Sequence, residues 1–555
     1  MKTPTEPGPN SDVPEFVLDP TLVHSTTLSG WAWTNDPSEA ISPDGRYLLI
    51  AQHDSDATSL VAYPLPARGS HKEDSKSGPE NGFKDEPVVL RSIGRQWTMD
   101  KGLEYIPMGW LSNTKCLFVS SGLQNQGKHR NQQGLSILEG DISNNQVREL
   151  TFIPLEYAIV REAALDPGNN RLILDASNLI ITVDLESHTA NIVKQEPPTF
   201  QGSLAAELSP DKTAYVYNLH EPDKYGVYLL DLGTGAETPL MPTGDTLSFY
   251  PAWSPDGKYV AAYTVARKAG TNEADSINYS LEHYEVYLGE DSPMPFGASI
   301  TIVDKAGQKI NEIAVTGRIL GHFKWSADSK YLGFVSCAKP SQGQTQSASG
   351  QNPGPGAPDG ESGTEQHSSA GIEGNWEIPS LRADSMWIAD VTTGGTAKVA
   401  DLSSAPTGDT VSIYPLAFSP DSKGLFYQVI QEQSSSIWYG AKDQAQPGQT
   451  TPVKVADGLW YENHPLPVFD NELSAIIGGT GSPGEPEGMK DTGDTKDSPG
   501  VSLWLLGGRG FRNVSRWPAV TGTIMAHDEH TLVIYSYPGD DQFEIRVYSM
   551  YKGIE

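Results

Sequence analysis

The chain has 555 residues, with 70 acidic and 39 basic side chains and a formal net charge of −31. So acidic a surface repels phosphate backbones, which removes nucleic acid from the expected partners. No apolar run approaches the roughly 20 residues of a membrane helix, and the apolar share of 37% beside 55 Gly and 41 Pro favours short strands joined by turns.

In chain order, residues 1–12 form a polar, Pro-rich leader without the apolar core of a signal peptide. A leader of this kind resembles the spacer left after a removed export signal or lipid anchor, so an extracytoplasmic location is expected, with a cytoplasmic tail as the alternative. From residue 13 onward the chain reads as one repeat structure. AISPDGRYLLI (40–50), ELSPDKTAYVY (207–217), AWSPDGKYVAA (252–262), KWSADSKYLGF (324–334) and AFSPDSKGLFY (417–427) are copies of one unit. Weaker copies lie at 109–119, 164–174, 468–477 and 525–535. Pro presets φ, Asp bonds its own backbone and Gly accepts positive φ, so each copy is a tight turn between two strands. Two further apolar stretches follow each hairpin, which makes a four-stranded unit.

The turns centre near residues 44, 113, 168, 211, 256, 328, 421, 472 and 529, with the shortest spacings about 43–45 residues. That spacing is the length of one propeller blade. The fold expected is therefore all-β, a single large β-propeller over residues 13–555. Nine turn signals are present, but the last two are weak and large propellers rarely exceed eight blades, so eight are favoured. Two smaller propellers are the alternative. The last unit, EIRVYSMYKGIE, lacks a fourth strand, and PEFVLDPTLVHSTTL (14–28) can supply it and close the ring.

Polar inserts near 121–133, 265–297, 339–383 and 478–500 each follow a second strand, so they share one face with the connections between units. The tight turns lie on the opposite face, as does the insert near 69–86, which follows a third strand. The stretch 342–369 is low in complexity and nearly free of apolar residues, as a loop without fixed structure would be. Cys116 and Cys337 lie in strand-like runs and read as two buried thiols.

The repeated W-S-P-D-G-K-Y hairpin resembles the WD40-like (PD40) repeat of TolB-type propellers. It is also similar to the propeller half of dipeptidyl peptidase IV and prolyl oligopeptidase relatives. The resemblance covers residues 31–555 and implies a propeller fold. Such propellers serve several functions, so it implies no single activity. The peptidases of that group carry a Ser on a G-x-S-x-G elbow. No such string occurs here, GLSILEG (134–140) and GTGSPGE (479–485) lacking the spacing, so their activity transfers to no residue of this chain.

Binding residues are sought on the insert-bearing face. The connections there are rich in aromatic and charged residues. They nominate Glu104, Tyr105, Glu156, Tyr157, Arg161, Trp460, Tyr461, Glu462 and His464, with the Asp245/Tyr250 and Asp409/Tyr414 pairs of a phrase, PTGDTxSxYP, that occurs twice. The plainer alternative is that these aromatics pack between blades. HDEH (527–530) falls on a hairpin tip where neighbouring side chains diverge, and DTGDTKDSPG (491–500) lacks the Gly and final Glu of a calcium loop. No metal or cofactor site is expected, and a monomer is. The expected function is a non-catalytic binding or scaffold propeller for a protein or small-molecule ligand. Its alternatives are a lyase- or cyclase-type enzyme working in the channel, for which His220, His322 and His464 are the available histidines, or the accessory half of a separately encoded peptidase.

Overall fold

The computed structural model describes residues 21–66, 86–94, 104–124, 128–156, 159–176, 179–195, 206–221, 224–242, 246–266, 278–279, 286–287, 299–315, 318–337, 385–402, 411–419, 422, 424–431, 434–441, 453–457, 459–466, 473–479, 500–507, 510–518, 521–528, 530–539 and 542–549. Among these, nine four-stranded antiparallel sheets form, besides one two-stranded ribbon within the 265–297 insert. The sheet count is therefore nine, one for every turn signal, where eight blades were favoured. The weak signal at 529 forms its hairpin because Asp528 takes the place of the Pro-Asp pair. Its Oδ1 accepts the N–H groups of His530 (2.7 Å) and Thr531 (2.8 Å).

Each of the first eight sheets is built from consecutive segments, so its strands run up and down in order. The first contains Trp31–Trp33, Tyr47–His53, Ala57–Pro64 and Val88–Gly94. The ninth takes three strands from Thr521–His527, Thr531–Gly539 and Gln542–Ser549, and its fourth from Thr21–Ser29. That strand pairs antiparallel with Gln542–Ser549 over Thr21↔Ser549 to Ser29↔Gln542. The predicted closure between the two ends of the repeat is thus present.

Apolar layers between neighbouring sheets hold the ring together. Ala32, Leu48 and Ile50 of the first sheet pack on Val533, Phe543 and Ile545 of the ninth. Ile106, Leu117 and Leu135 of the second pack on Leu165, Leu172 and Ile181 of the third. Similar layers continue to the seventh sheet, and the eighth touches both its neighbours. Each such side chain contributes about 1.5–3 kcal/mol of burial, which makes these layers the main adhesive. In all nine sheets the register shifts where the fourth strand pairs. A bulge there twists the exposed edge away from pairing with another chain.

The strong repeat is explained by its serine. Ser42 Oγ donates to Asp44 (2.7 Å) and accepts the N–H groups of Arg46 (3.0 Å) and Tyr47 (2.9 Å), which uses all the bonding capacity of a hydroxyl. Ser209 repeats all three bonds, while Ser254 and Ser326 repeat the bond to Asp and one to an N–H. All four are buried. The fourth turn residue has positive φ in every copy: Gly45 (70°), Lys212 (57°), Gly257 (66°), Ser329 (59°) and Ser422 (56°). The hydroxyl network holds even non-Gly residues in that conformation.

The stretches 125–127, 267–277, 280–285, 288–298, 338–384 and 480–499 follow second strands but lie outside the described residues, as do the 1–12 leader and 67–85.

Candidate functional site

The first strand of each sheet is an edge strand, and first strands of neighbouring sheets approach one another, as Glu104–Trp110 does Val160–Asp166 and Ala206–Leu208 does Thr246–Trp253, so these strands form the inner wall. In seven sheets the inner strand bulges against the second. Bulges re-aim side chains and recur beside active sites. A tryptophan at the turn end of three inner strands ties it to the sheet before: Trp110 Nε1 donates to Ala40 O (2.9 Å), Trp253 Nε1 to Glu207 O (3.1 Å) and Trp325 Nε1 to Ala252 O (3.4 Å).

Two carboxyls stand on this wall in adjacent sheets. Glu162, on the inner strand Val160–Asp166 of the third sheet, accepts the Tyr215 hydroxyl at 2.9 Å. Glu207, on Ala206–Leu208 of the fourth, accepts the Trp253 backbone N–H at 2.9 Å. Burial pushes the Glu207 carboxyl up to about 7. The Trp253 N–H opposes that rise, the Glu162 charge adds to it, and Lys324 of the sixth sheet works against it. Glu162 is itself raised by burial, with Asp175 adding to the effect and the Tyr215 bond opposing it. Both carboxyls are thus raised by burial, and a group poised near neutrality, as Glu207 is, suits general acid–base chemistry. Among the described residues no three His, Cys, Asp or Glu side chains converge as metal ligands.

A second feature lies at the turn end of the wall. Between Trp33 and Ile41, which pairs with the second strand again at Leu48, residues 34–39 loop out of the first sheet's inner strand. Thr34 Oγ1 donates to Met525 O of the ninth sheet (2.8 Å), and His527 N–H of the same sheet donates to Pro37 O (3.0 Å). Asn35 Nδ2 donates to Ala163 O of the third sheet (2.8 Å). Glu39 faces Lys212 at the fourth sheet's turn (3.8 Å), and a Cβ on Gly109 of the second would lie 3.0 Å from Glu39 Cβ. The segment is a strap from the ninth sheet to the fourth. Asp36 stiffens it by accepting the Ser38 N–H (2.9 Å) and hydroxyl (2.7 Å). Burial raises the Glu39 carboxyl, against the pull of Lys212.

The nominated residues fare unevenly. Glu104, at the start of an inner strand, and Glu156, two residues beyond the strand Gln146–Pro154, are exposed. Tyr105 is buried between the first and second sheets, edge-on to Phe118 at 6.2 Å, and its hydroxyl is pushed up to about 12 by burial. It packs between blades, as the plainer alternative had it. Tyr157, Asp245 and Asp409 lie outside the described residues. Arg161, Tyr250, Tyr414, Trp460, Tyr461, Glu462 and His464 are described as backbone on inner strands of the third, fifth, seventh and eighth sheets. Arg161 and Tyr461 are bulge residues. The two copies of the repeated phrase lead into the inner strands of the fifth and seventh sheets, which are not neighbours. Glu162 and Glu207 were not nominated. Glu162 follows Arg161, and Glu207 precedes the Leu-Ser-Pro-Asp turn, where a residue reads as structural.

Cys116 is a free, buried thiol pushed up to about 12 by burial, and Cys337 is described as backbone alone. No helix among the described residues is long and apolar enough to cross a membrane.

No family model matches the chain, and no curated protein does. Solved structures with similar folds exist. Oligogalacturonate lyase from Vibrio parahaemolyticus is 10% identical, over 80% of this chain and 96% of that one, with a TM-score of 0.36. A protein assigned as TolB from Agrobacterium tumefaciens is 13% identical, over 67% of this chain and 98% of that one, with a TM-score of 0.27. Acylaminoacyl peptidase is 11% identical, over 70% of this chain and 52% of that one, with a TM-score of 0.35. At such identities and scores these likenesses carry no argument about chemistry or role.

Proposed function

We propose that this chain is a binding propeller that receives its ligand or protein partner through the insert-bearing face. The observation that carries this reading is the 34–39 strap, which bonds to the ninth, third and fourth sheets toward their turn ends. A ligand approaching from the turn face meets the strap, whereas the connections between second and third strands, where the four inserts are expected from the sequence, begin at the opposite ends of the strands. Replacing residues 267–298 and 338–384 by short turns should abolish the partner cross-links formed by the wild-type chain. Charge reversal on the turn face, with Lys258→Glu and Lys330→Glu, should leave them in place. The converse result would overturn the assignment of the face.

A second reading, an enzyme working from the inner wall, is favoured by one observation: burial raises both Glu162 and Glu207, the latter to about 7. Under that reading Glu162→Gln and Glu207→Gln abolish turnover but spare binding.

A further inference from the structure

We propose that Trp31, with the turn at residues 53–56 beside it, is a docking point for a lysine side chain of a basic protein partner. This rests on the reading above that partners arrive at the insert-bearing face, and adds the chemistry they present there. Trp31 opens the first sheet's inner strand and His53 ends its second, so these cross-strand partners stand at the end opposite the Ser-Pro-Asp turn. Trp31 is 48% exposed, yet its ring is held in place. It lies parallel to His53, with centroids 3.9 Å apart and planes 6° off. His53 is fixed in turn, with Trp33 Nε1 at 3.4 Å from its Nε2 and Thr58 Oγ1 at 3.0 Å from its Nδ1. An indole N–H can only donate, so Nε2 accepts it, Nδ1 carries the hydrogen and the ring is neutral. With one face of Trp31 covered by His53, its exposure belongs to the other face and the ring edge.

Carboxylates accompany the ring. A Cβ on Gly30, the residue before Trp31, would lie 2.7 Å from Asp54 Cα, and Asp56 of the same turn is exposed. Asp54 fixes the turn by accepting the N–H groups of Asp56 (2.8 Å) and Ala57 (2.7 Å). What such a pairing holds is shown three times within the chain. Lys194 lies over the Tyr217 ring (4.2 Å) and pairs with Glu237. Lys305 lies over Trp253 (5.4 Å) and pairs with Asp211 (2.7 Å). Lys398 lies over Trp387 (4.9 Å) and pairs with Asp401 (2.9 Å). Each is an ammonium drawn both to an aromatic face and to a carboxylate. At Trp31 the ring and the carboxylates are in place, and among the described residues no lysine or arginine lies over that ring. A neutral ligand would gain from the ring alone, whereas a lysine gains from the ring and from Asp54 and Asp56. The net charge of −31 draws a basic segment to the surface, and Trp31 gives one of its lysines a defined seat.

The test is calorimetric titration of the full-length chain with a peptide of alternating glycine and lysine, blocked at both ends. Trp31→Ala should weaken binding about tenfold, and Trp31→Phe, which keeps an aromatic face, by less. Asp56→Asn should weaken it about threefold. Acetylating the peptide's lysines should cost the wild type more than it costs Trp31→Ala, because the variant has already lost the ring. The chain with residues 267–298 and 338–384 replaced by short turns keeps Trp31 and should bind the peptide undiminished, so this site and the assignment of the face can fail separately. Equal binding by wild type and Trp31→Ala, with both weakened alike by acetylation, would show only general attraction to an acidic surface and would overturn the proposal.

Discussion

The turn face and the inner wall of this ring treat carboxylates in opposite ways. On the turn face, aspartates end the third strands and complete the Ser-Pro-Asp turns. Asp141 and Asp231 are held below the ordinary carboxylate range by bonds from Ser143 and Thr234 respectively. Burial works against Asp211, Asp256 and Asp328, but bonds from Lys305, Lys258 and Ser326, with their neighbours, outweigh it. On the wall and strap, burial dominates and Glu39, Glu162 and Glu207 are all raised. The net charge of −31 is thus not one property. The turn-face aspartates are structural parts that need to be ionised, and the wall glutamates are held where ionisation is costly, which is how functional carboxyls are commonly poised.

Changing the wall has the largest expected effect. A group raised to about 7 contributes stability that is complete below its unfolded value near 4.5 and is lost as pH rises through 7. Glu207→Gln should therefore stabilise the chain by about 1–3 kcal/mol at pH 8, and much less at pH 5, as measured by denaturant unfolding. The turn hydroxyl comes next. Ser254→Ala strips a buried turn of its bonds to Asp256 and the Tyr259 N–H, and should cost about 1–3 kcal/mol with little pH dependence. The smallest effect is expected on the turn-face charges. Asp328→Asn should cost under about 1 kcal/mol, since the group is largely exposed. Its sign with pH is reversed. A lowered carboxylate contributes stability above its unfolded value, and that contribution fades as pH falls through the folded value, so the variant should match wild type in acid. If both classes responded to pH in the same direction, the contrast would fail.

What the sequence disclosed follows the range of the interactions. Ser-Pro-Asp-Gly acts within five residues, so its copies marked each hairpin, and the missing fourth strand of the last unit pointed to ring closure. The ninth sheet was underrated because Asp528 alone caps its turn, without the Pro-Asp pair. The strap was not legible, because its bonds join residues 128 and 491 positions apart, and T-N-D-P-S-E reads locally as an ordinary turn. The Glu207–Trp253 bonds reach 46 positions, beyond any local pattern. Tyr105 misled because a residue at a strand's start can point between sheets as readily as into the opening.

The most direct measurement is an infrared pH titration of wild type minus Glu207→Gln. The account predicts a protonated-carboxyl C=O stretch in the difference at pH 6 that disappears by pH 8. A difference with no protonated carboxyl at pH 6, the group titrating like an exposed glutamate, would contradict it.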